Sequence, residues 1–190
     1  MTVLGESVDR SGLVTSARTI DTVLDQHRST LGHDVAAYRN HVFRVFNLCL
    51  AMAKCTGPDD VEKIAIAAVF HDLGIWTDHT FDYIGPSVAL ALEYLTGSSR
   101  QDWMSEIESM IVNHHKITRA DPGERRLVEP FRRADWIDVS RGFRRFGVDR
   151  RFIASVFARW PTHGFHWRLV GLTVERFRRH PLTPLPMVKL

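Results

Sequence analysis

Residues 58–74 read PDDVEKIAIAAVFHDLG. Gly57-Pro58 supplies the break and the N-terminal proline that open a helix, and the apolar run Ile64–Phe70 leaves that helix no polar face in its second half. The pattern predicts a helix over 59–73 that lies at the centre of its domain, buried on every side. Such a helix ends on His71-Asp72. A carboxylate at the edge of an apolar core is costly without a partner, and a metal ion would be one. Neighbouring side chains point about 100° apart on a helix, so an ion at its open end is approachable from both.

Working outward, the periodicity is helical throughout. Residues 17–31 carry Ile20, Val23, Leu24, His27 and Leu31 at helical spacing. Residues 34–55 place Val35, Tyr38, Val42, Val45, Phe46, Cys49 and Met52 on one broad face, with Asp34 suited to cap the start. A loop is expected at 77–84, then a helix over 85–95 closed by Gly97, and another from Asp102 with Trp103, Ile107, Met110, Ile111 and His114 on one side. Further helices are expected over 124–142, 149–159 and 165–179, broken at Trp160-Pro161 and Gly164. No strand-like alternation and no internal repeat competes with these. The expected fold is all-α, a single-domain bundle of about seven to eight helices. Its expected limits are an N-terminal extension over 1–16, the helical domain over 17–180 and a proline-rich tail over 181–190.

The chain has 190 residues, 44% of them hydrophobic and 25% charged, which excludes a mostly disordered polymer. It lacks an apolar run of the roughly 18–20 residues that a membrane span requires. The N-terminal stretch has no signal-peptide core either, so a cytoplasmic location without membrane contact is expected. Cys49 and Cys55 fit neither a disulfide framework nor a CxxC metal site and are expected to be reduced. Charge is unevenly laid out. Residues 1–118 hold 9 Lys and Arg against 15 Asp and Glu, whereas residues 119–190 hold 16 against 7. The second part is rich in doublets: Arg125-Arg126, Arg132-Arg133, Arg144-Arg145, Arg150-Arg151 and Arg178-Arg179. Arginine suits phosphate, but solvated helix faces explain the same doublets, and no nucleic-acid motif accompanies them. Nucleic acid is therefore not the expected partner. A small anionic molecule is, and a homodimer is compatible with the sequence although no segment specifies one.

Histidines and acids recur on separate helices: His41 in YRNHVFRV, His71-Asp72 in AAVFHDLG, Asn113-His114-His115, and Asp135 in RRADWID. Imidazole nitrogen and carboxylate oxygen suit a divalent transition metal. In this order and these contexts the residues resemble the HD-domain metal-dependent phosphohydrolase superfamily, whose signature is a lone His, an HD doublet and a distal Asp. The match covers residues 34–142. It implies an all-helical fold that holds a divalent ion (Mn, Fe, Ni, Co, Zn or Mg) through His41, His71, Asp72 and Asp135. Dinuclear members of that superfamily carry two further histidines between the doublet and the last Asp. Here Phe81-Asp82-Tyr83-Ile84-Gly85 has no histidine where one is expected, His79 lies nearby, and His114 or His115 could be the other. A single ion is therefore the expectation. The Glu that some nucleotidase members place after the doublet is missing, since Leu73, Gly74, Ile75 and Trp76 follow.

The roles expected of a hydrolytic site follow from what such chemistry needs. Asp72 would also orient the attacking water. His115 or His114 would serve as general acid or phosphate contact. Lys116 and Arg119 would steer an anionic substrate. Arg44, one turn after His41, would reach the pocket or else form a surface ion pair. Asp78 and His79 are candidate pocket walls. Asp138, one turn after Asp135, is expected to support a ligand or pair helices. The segment WPTHGFHW (160–167) is either a lid or packing between terminal helices. The leading expectation is a metal-dependent phosphohydrolase acting on a small phosphorylated molecule such as a nucleotide. The alternatives are a dinuclear iron oxygenase or zinc-type hydratase of the same fold, and a non-catalytic module that binds a nucleotide or a protein.

Overall fold

The helix that runs from Val35 to Met52 is buried on nearly all sides: Ala37, Tyr38 and every residue from His41 to Cys49 are inside. It belongs to a computed structural model that describes residues 7–55, 57–80, 82–120, 123 and 125–164. In chain order the long helices are α1 (Arg18–Gln26), α2 (Val35–Met52), α3 (Pro58–Phe70), α4 (Ile84–Gly97), α5 (Met104–Asn113), α6 (Val128–Val139) and α7 (Arg150–Arg159). Single turns over Arg28–Leu31 and Gly74–Thr77 and 3-10 turns over Gly32–Asp34 and Gln101–Trp103 join them. The all-α architecture is as the sequence implies. Among the described residues no helix is long and apolar enough to cross a membrane.

Helix α3 begins as the sequence requires, with Pro58 at its first position and Asp59 and Asp60 in the first turn, where acids favour the positive end of the helix. From Ile64 to Phe70 every side chain is buried, because α1, α2, α4 and α5 all pack on it. Helix α4 shows the opposite pattern: only Ser87, Ala91 and Leu95, at four-residue spacing, are fully buried. Helix α6 lies against α2 and α5 and so carries its residues to the open end of α3. Asp149 caps α7, accepting from the backbone N–H groups of Arg151 and Phe152 at 2.8 and 3.1 Å.

Several boundaries differ from the expected ones. The first helix breaks at His27, after which Arg28–Leu31 makes one separate turn and Gly32 adopts a φ of +54°. Asp34 does not cap α2; its carboxylate accepts from the indole Nε1 of Trp76 at 3.0 Å. Helix α2 ends at Met52 and α3 at Phe70, so His71-Asp72 sits just past the last turn rather than within it. Helix α6 starts at Val128; residue 124 and the expected helix over 165–179 lie outside the described residues, as does the tail. A strand pair that the sequence did not announce, β1 (Ser7–Val8) with β2 (Val14–Ser16), forms a short antiparallel hairpin. Two and three residues are too few for an alternation to be visible. Asn47 of α2 supplies what fixes it: its side chain accepts from Val14 N–H at 2.8 Å and donates to Val14 C=O at 3.0 Å. Cys49 is buried and Cys55 half-buried.

Candidate metal centre

Four helices deliver polar side chains to one point in the apolar interior. His41 comes from the middle of α2, His71 and Asp72 from the end of α3, His114 and His115 from the end of α5, and Asp135 from α6. His41, His71 and His114 are fully buried, and Asp72 and Asp135 are 2% and 1% exposed. His41 Nε2 lies 2.9 Å from His71 Nε2. Asp72 Oδ2 is 3.3 Å from His41 Nε2 and 3.5 Å from His71 Nε2, and Asp135 Oδ1 is 4.0 and 3.8 Å from the same two atoms.

The protons on these rings are set from behind. His71 Nδ1 faces the Ala68 carbonyl at 2.8 Å and His114 Nδ1 faces the Ile111 carbonyl at 2.5 Å. A carbonyl can only accept, so each Nδ1 carries the proton and each Nε2 turns a lone pair inward. His41 Nδ1 donates to Asp138 Oδ2 at 2.6 Å, with the same result. In their neutral forms the three imidazoles thus turn lone pairs toward the same point as two carboxylates. Asp72 Oδ1, His114 Nε2 and both oxygens of Asp135 are buried without a hydrogen bond. Buried polar atoms are seldom left so. Ligands about 2.1 Å from a divalent ion lie about 3.0 Å apart when adjacent in an octahedron and about 4.2 Å when opposite. The separations of His41 and His71 from each other and from Asp72 and Asp135 fall at or between these values, so the residues fit such an ion.

Electrostatics tell the same story for the metal-free chain. Burial opposes a charge on His41, but its hydrogen bonds to Asp138 and Asp72 outweigh that and push its pKa up to about 9. Burial, helped by the nearby His41 and His114 and opposed by Asp72, holds His71 down to about 3. One proton therefore stands between the two rings where a cation fits. For Asp135, burial dominates and raises the carboxyl pKa; Asp72 is held below the usual carboxylate range by the histidines around it, against its own burial.

The donors divide further. Asp72 Oδ2 faces His41 and His71, while its other oxygen is 3.4 Å from His114 Nε2. Asp135 Oδ2 is likewise turned the other way, 3.3 Å from His115 Nδ1. His71, Asp72 and His114, and again His114, His115 and Asp135, form two more groups of close donors beside that of His41, His71 and Asp135. His79 joins none of them: it is exposed, as is Asp78, which accepts from Thr77 Oγ1. His115, with its side chain 16% exposed, stands at the rim, and Nε2 of its ring meets the Tyr83 hydroxyl at 2.7 Å. Tyr83 is only 1% exposed, and no periodicity or motif singled it out; only the fold brings it to His115, 32 residues on.

Arg44 is neither a surface ion pair nor a group open to substrate. It is fully buried, its Nε and Nη2 bind the two oxygens of Asp138, and its Nη1 donates to the Trp160 carbonyl at 3.1 Å. The guanidinium keeps Asp138 ionised well below the usual range despite burial, and Asp138 in turn holds His41. Lys116 offers its backbone carbonyl to Arg132 and Trp136, and Arg119 is exposed. Trp160 is packed inside, stacked on Phe43 with ring centroids 5.6 Å apart, which favours packing over a lid for that end of 160–167; residues 165–167 are outside the described residues.

A family model described as HD domain matches residues 38–139, a span that contains each of the four residues expected to hold a metal. No curated protein and no solved structure matches the chain.

Proposed function

The chain belongs to the HD-domain family, and on that premise we propose that it is a metal-dependent phosphohydrolase acting on a small anionic phosphorylated substrate. The observation that carries this reading is the set of buried polar atoms left without a hydrogen bond, both oxygens of Asp135 among them. His41, His71, Asp72 and Asp135 would hold a divalent ion, whose contribution when bound is Lewis acidity toward a phosphoryl oxygen and a lowered pKa for water.

The chain's own residues do the rest. Asp138 fixes the proton of His41 on Nδ1, and Arg44 keeps Asp138 charged so that it can. His115 is the member of the centre that reaches the rim. The neutral tautomer with its proton on Nδ1, beside Asp135, is the one whose Nε2 can accept from the Tyr83 hydroxyl. From there it can donate a hydrogen bond to a phosphoryl oxygen of the substrate. The exposed Arg119 lies three residues beyond Lys116 on the chain leaving His115, where cations draw in an anionic substrate.

A second reading, a dinuclear centre, is favoured by a specific observation. Asp72 and Asp135 each turn one oxygen to His41 and His71 and the other to His114 or His115, as bridging carboxylates would. Elemental analysis of protein purified without a chelator or a metal-affinity column separates the two: about one ion per chain supports a single centre, and two irons per chain support the oxygenase alternative. With the metal restored, a panel of phosphorylated small molecules tests the hydrolase. Asp72→Ala should lose both metal and turnover; a metal-replete, fully active variant would refute the assignment. Protein that takes up none of Mn²⁺, Fe²⁺, Ni²⁺, Co²⁺, Zn²⁺ or Mg²⁺ leaves the non-catalytic binding module.

A further inference from the structure

The arginines of the second half, indistinguishable in the sequence, fall into two groups in the fold. Arg126 pairs with Asp60, and Arg132 and Arg133 share Glu129, so these cations are spent inside the domain. Arg141, Arg144, Arg145, Arg150 and Arg151 are all exposed, and none forms an ion pair among the described residues. They cluster in the loop between α6 and α7 and on the first turn of α7. From residue 139 to residue 164 the chain has six arginines and a single acid, Asp149, whose carboxylate is engaged in capping α7.

An aromatic ring stands in the middle of this field. Phe143 is 90% exposed, far more than any other large apolar side chain among the described residues. Its exposure is imposed by a tightly tied loop. Gly142 N–H returns to the Ile137 carbonyl at 2.8 Å, Phe143 N–H to Ser140 at 3.0 Å, and Arg144 N–H to the Ser140 hydroxyl at 3.1 Å. Arg141 and Phe146 hold positive φ angles of 52° and 45°, a conformation that costs side-chain-bearing residues energy. The guanidinium of Arg144 lies over the Trp136 ring, 4.8 Å from its centroid, which keeps it beside Phe143. Two shallow depressions of about 470 and 590 Å³ flank the ring, both lined by Phe143, Arg145 and Arg150.

We propose that this arginine-rich loop around Phe143 is a docking surface for single-stranded nucleic acid. Five unpaired guanidinium groups spread over the loop and the start of α7 exceed what one phosphate uses, so the chemistry favours a chain of phosphates. A flat exposed ring among them is what an unpaired base stacks on, whereas an acidic peptide has no use for it and a lipid surface is gripped by a broad apolar face rather than by one ring. The surface is built from residues outside the candidate metal centre, so the inference stands whatever ion or reaction that centre proves to have. It also changes the expectation drawn from the sequence, which could not separate paired from unpaired arginines.

The test is fluorescence anisotropy of the full chain with a labelled mixed-sequence 20-nucleotide single strand at 50 and 200 mM salt. Three neutralised phosphates give a slope of about −2 in log affinity against log salt, hence a loss of about 20-fold over that range. Arg145→Glu/Arg150→Glu should weaken binding at least tenfold and flatten the slope. Phe143→Ala should weaken it at least fivefold while leaving the slope unchanged, a signature that charge alone does not produce. Metal content and thermal unfolding are recorded for each variant, and because all three side chains are at the surface neither should move. Absence of binding at 50 mM salt overturns the proposal. So does binding that the double charge reversal leaves intact, or tighter binding to phosphatidylserine vesicles or polyglutamate than to the oligonucleotide.

Discussion

Replacing Asp138 by Asn tests how the centre is held from behind. The substitution keeps the shape of the side chain and removes its charge. In the native protein Asp138 accepts from His41 Nδ1 and from Nε and Nη2 of Arg44, and none of the three residues is exposed. An asparagine has one accepting oxygen, so its NH₂ must face either the guanidinium or the imidazole N–H, donor against donor. Removing one partner of a buried ion pair costs about 3–5 kcal/mol. Arg44 keeps its hydrogen bond to the Trp160 carbonyl, which favours the lower end, about 3 kcal/mol. For a domain of this size that is a fall in Tm of about 6–12 °C. Metal affinity should fall about 10- to 100-fold, because His41 loses the acceptor that fixes its tautomer. Urea unfolding of the metal-stripped protein reads the first effect and competition with a chromophoric chelator the second. The double variant Arg44→Met/Asp138→Asn removes both charges and should be less destabilised than the sum of the single changes by at least about 1 kcal/mol. An Asp138→Asn protein within about 1 kcal/mol of the parent, with the same metal affinity, would refute this account of Asp138.

Two further outcomes follow from other parts of the fold. The pKa of His41 is about 9 in the folded, metal-free chain against 6.5 for the free side chain, so its stabilisation is complete below pH 6.5 and is lost as the pH rises through 9. The span corresponds to about 3 kcal/mol, and the raised pKa of Asp135 acts in the same direction. Chelator-treated protein should therefore unfold more easily at pH 9.5 than at 6.5, while metal-loaded protein, with its ion in the proton's place, should show little change; equal stability of the stripped protein at both values would contradict it. Gly74→Ala places a methyl 2.6 Å from the Tyr83 carbonyl and 2.9 Å from Pro86 Cβ and Ser87 N. It should cost about 1–3 kcal/mol in thermal unfolding and weaken the Tyr83–His115 contact, and an unshifted Tm would show that α4 yields more easily than its packing implies.

The candidate metal centre was open to reading because its ingredients are local. His41, the His71-Asp72 doublet and Asp135 each sit in a helical context that shows they face inward, and their order carries the family signature. The supporting side chains were less accessible. The helical spacing from His41 to Arg44 shows a shared face, but the acceptor that buries Arg44 lies 94 residues away on α6. His114 and His115 are adjacent, so the sequence offers no means to tell which points into the core and which to the rim; the fold sends His114 in and leaves His115 at the edge. Tyr83 gives no signal at all, because its part in the site arises only where the fold sets it beside His115. The hairpin at residues 7–16 escaped for a related reason: what fixes it is a single amide on α2, 33 residues from Val14.

The hydrogen bonds of His71 and His114 do a second job. Each ring binds the carbonyl three residues before it, in the last turn of the helix that the histidine follows. Those carbonyls are among the acceptors that a helix leaves unmatched at its C-terminus. The same imidazoles that face the centre through Nε2 therefore close α3 and α5 through Nδ1. Both rings are held in place by the fold itself, and a bound ion would be spared the roughly 0.5–1.5 kcal/mol of ordering entropy that each mobile side chain would add. Any ion held here would have to suit donor positions that the ends of α3 and α5 already set.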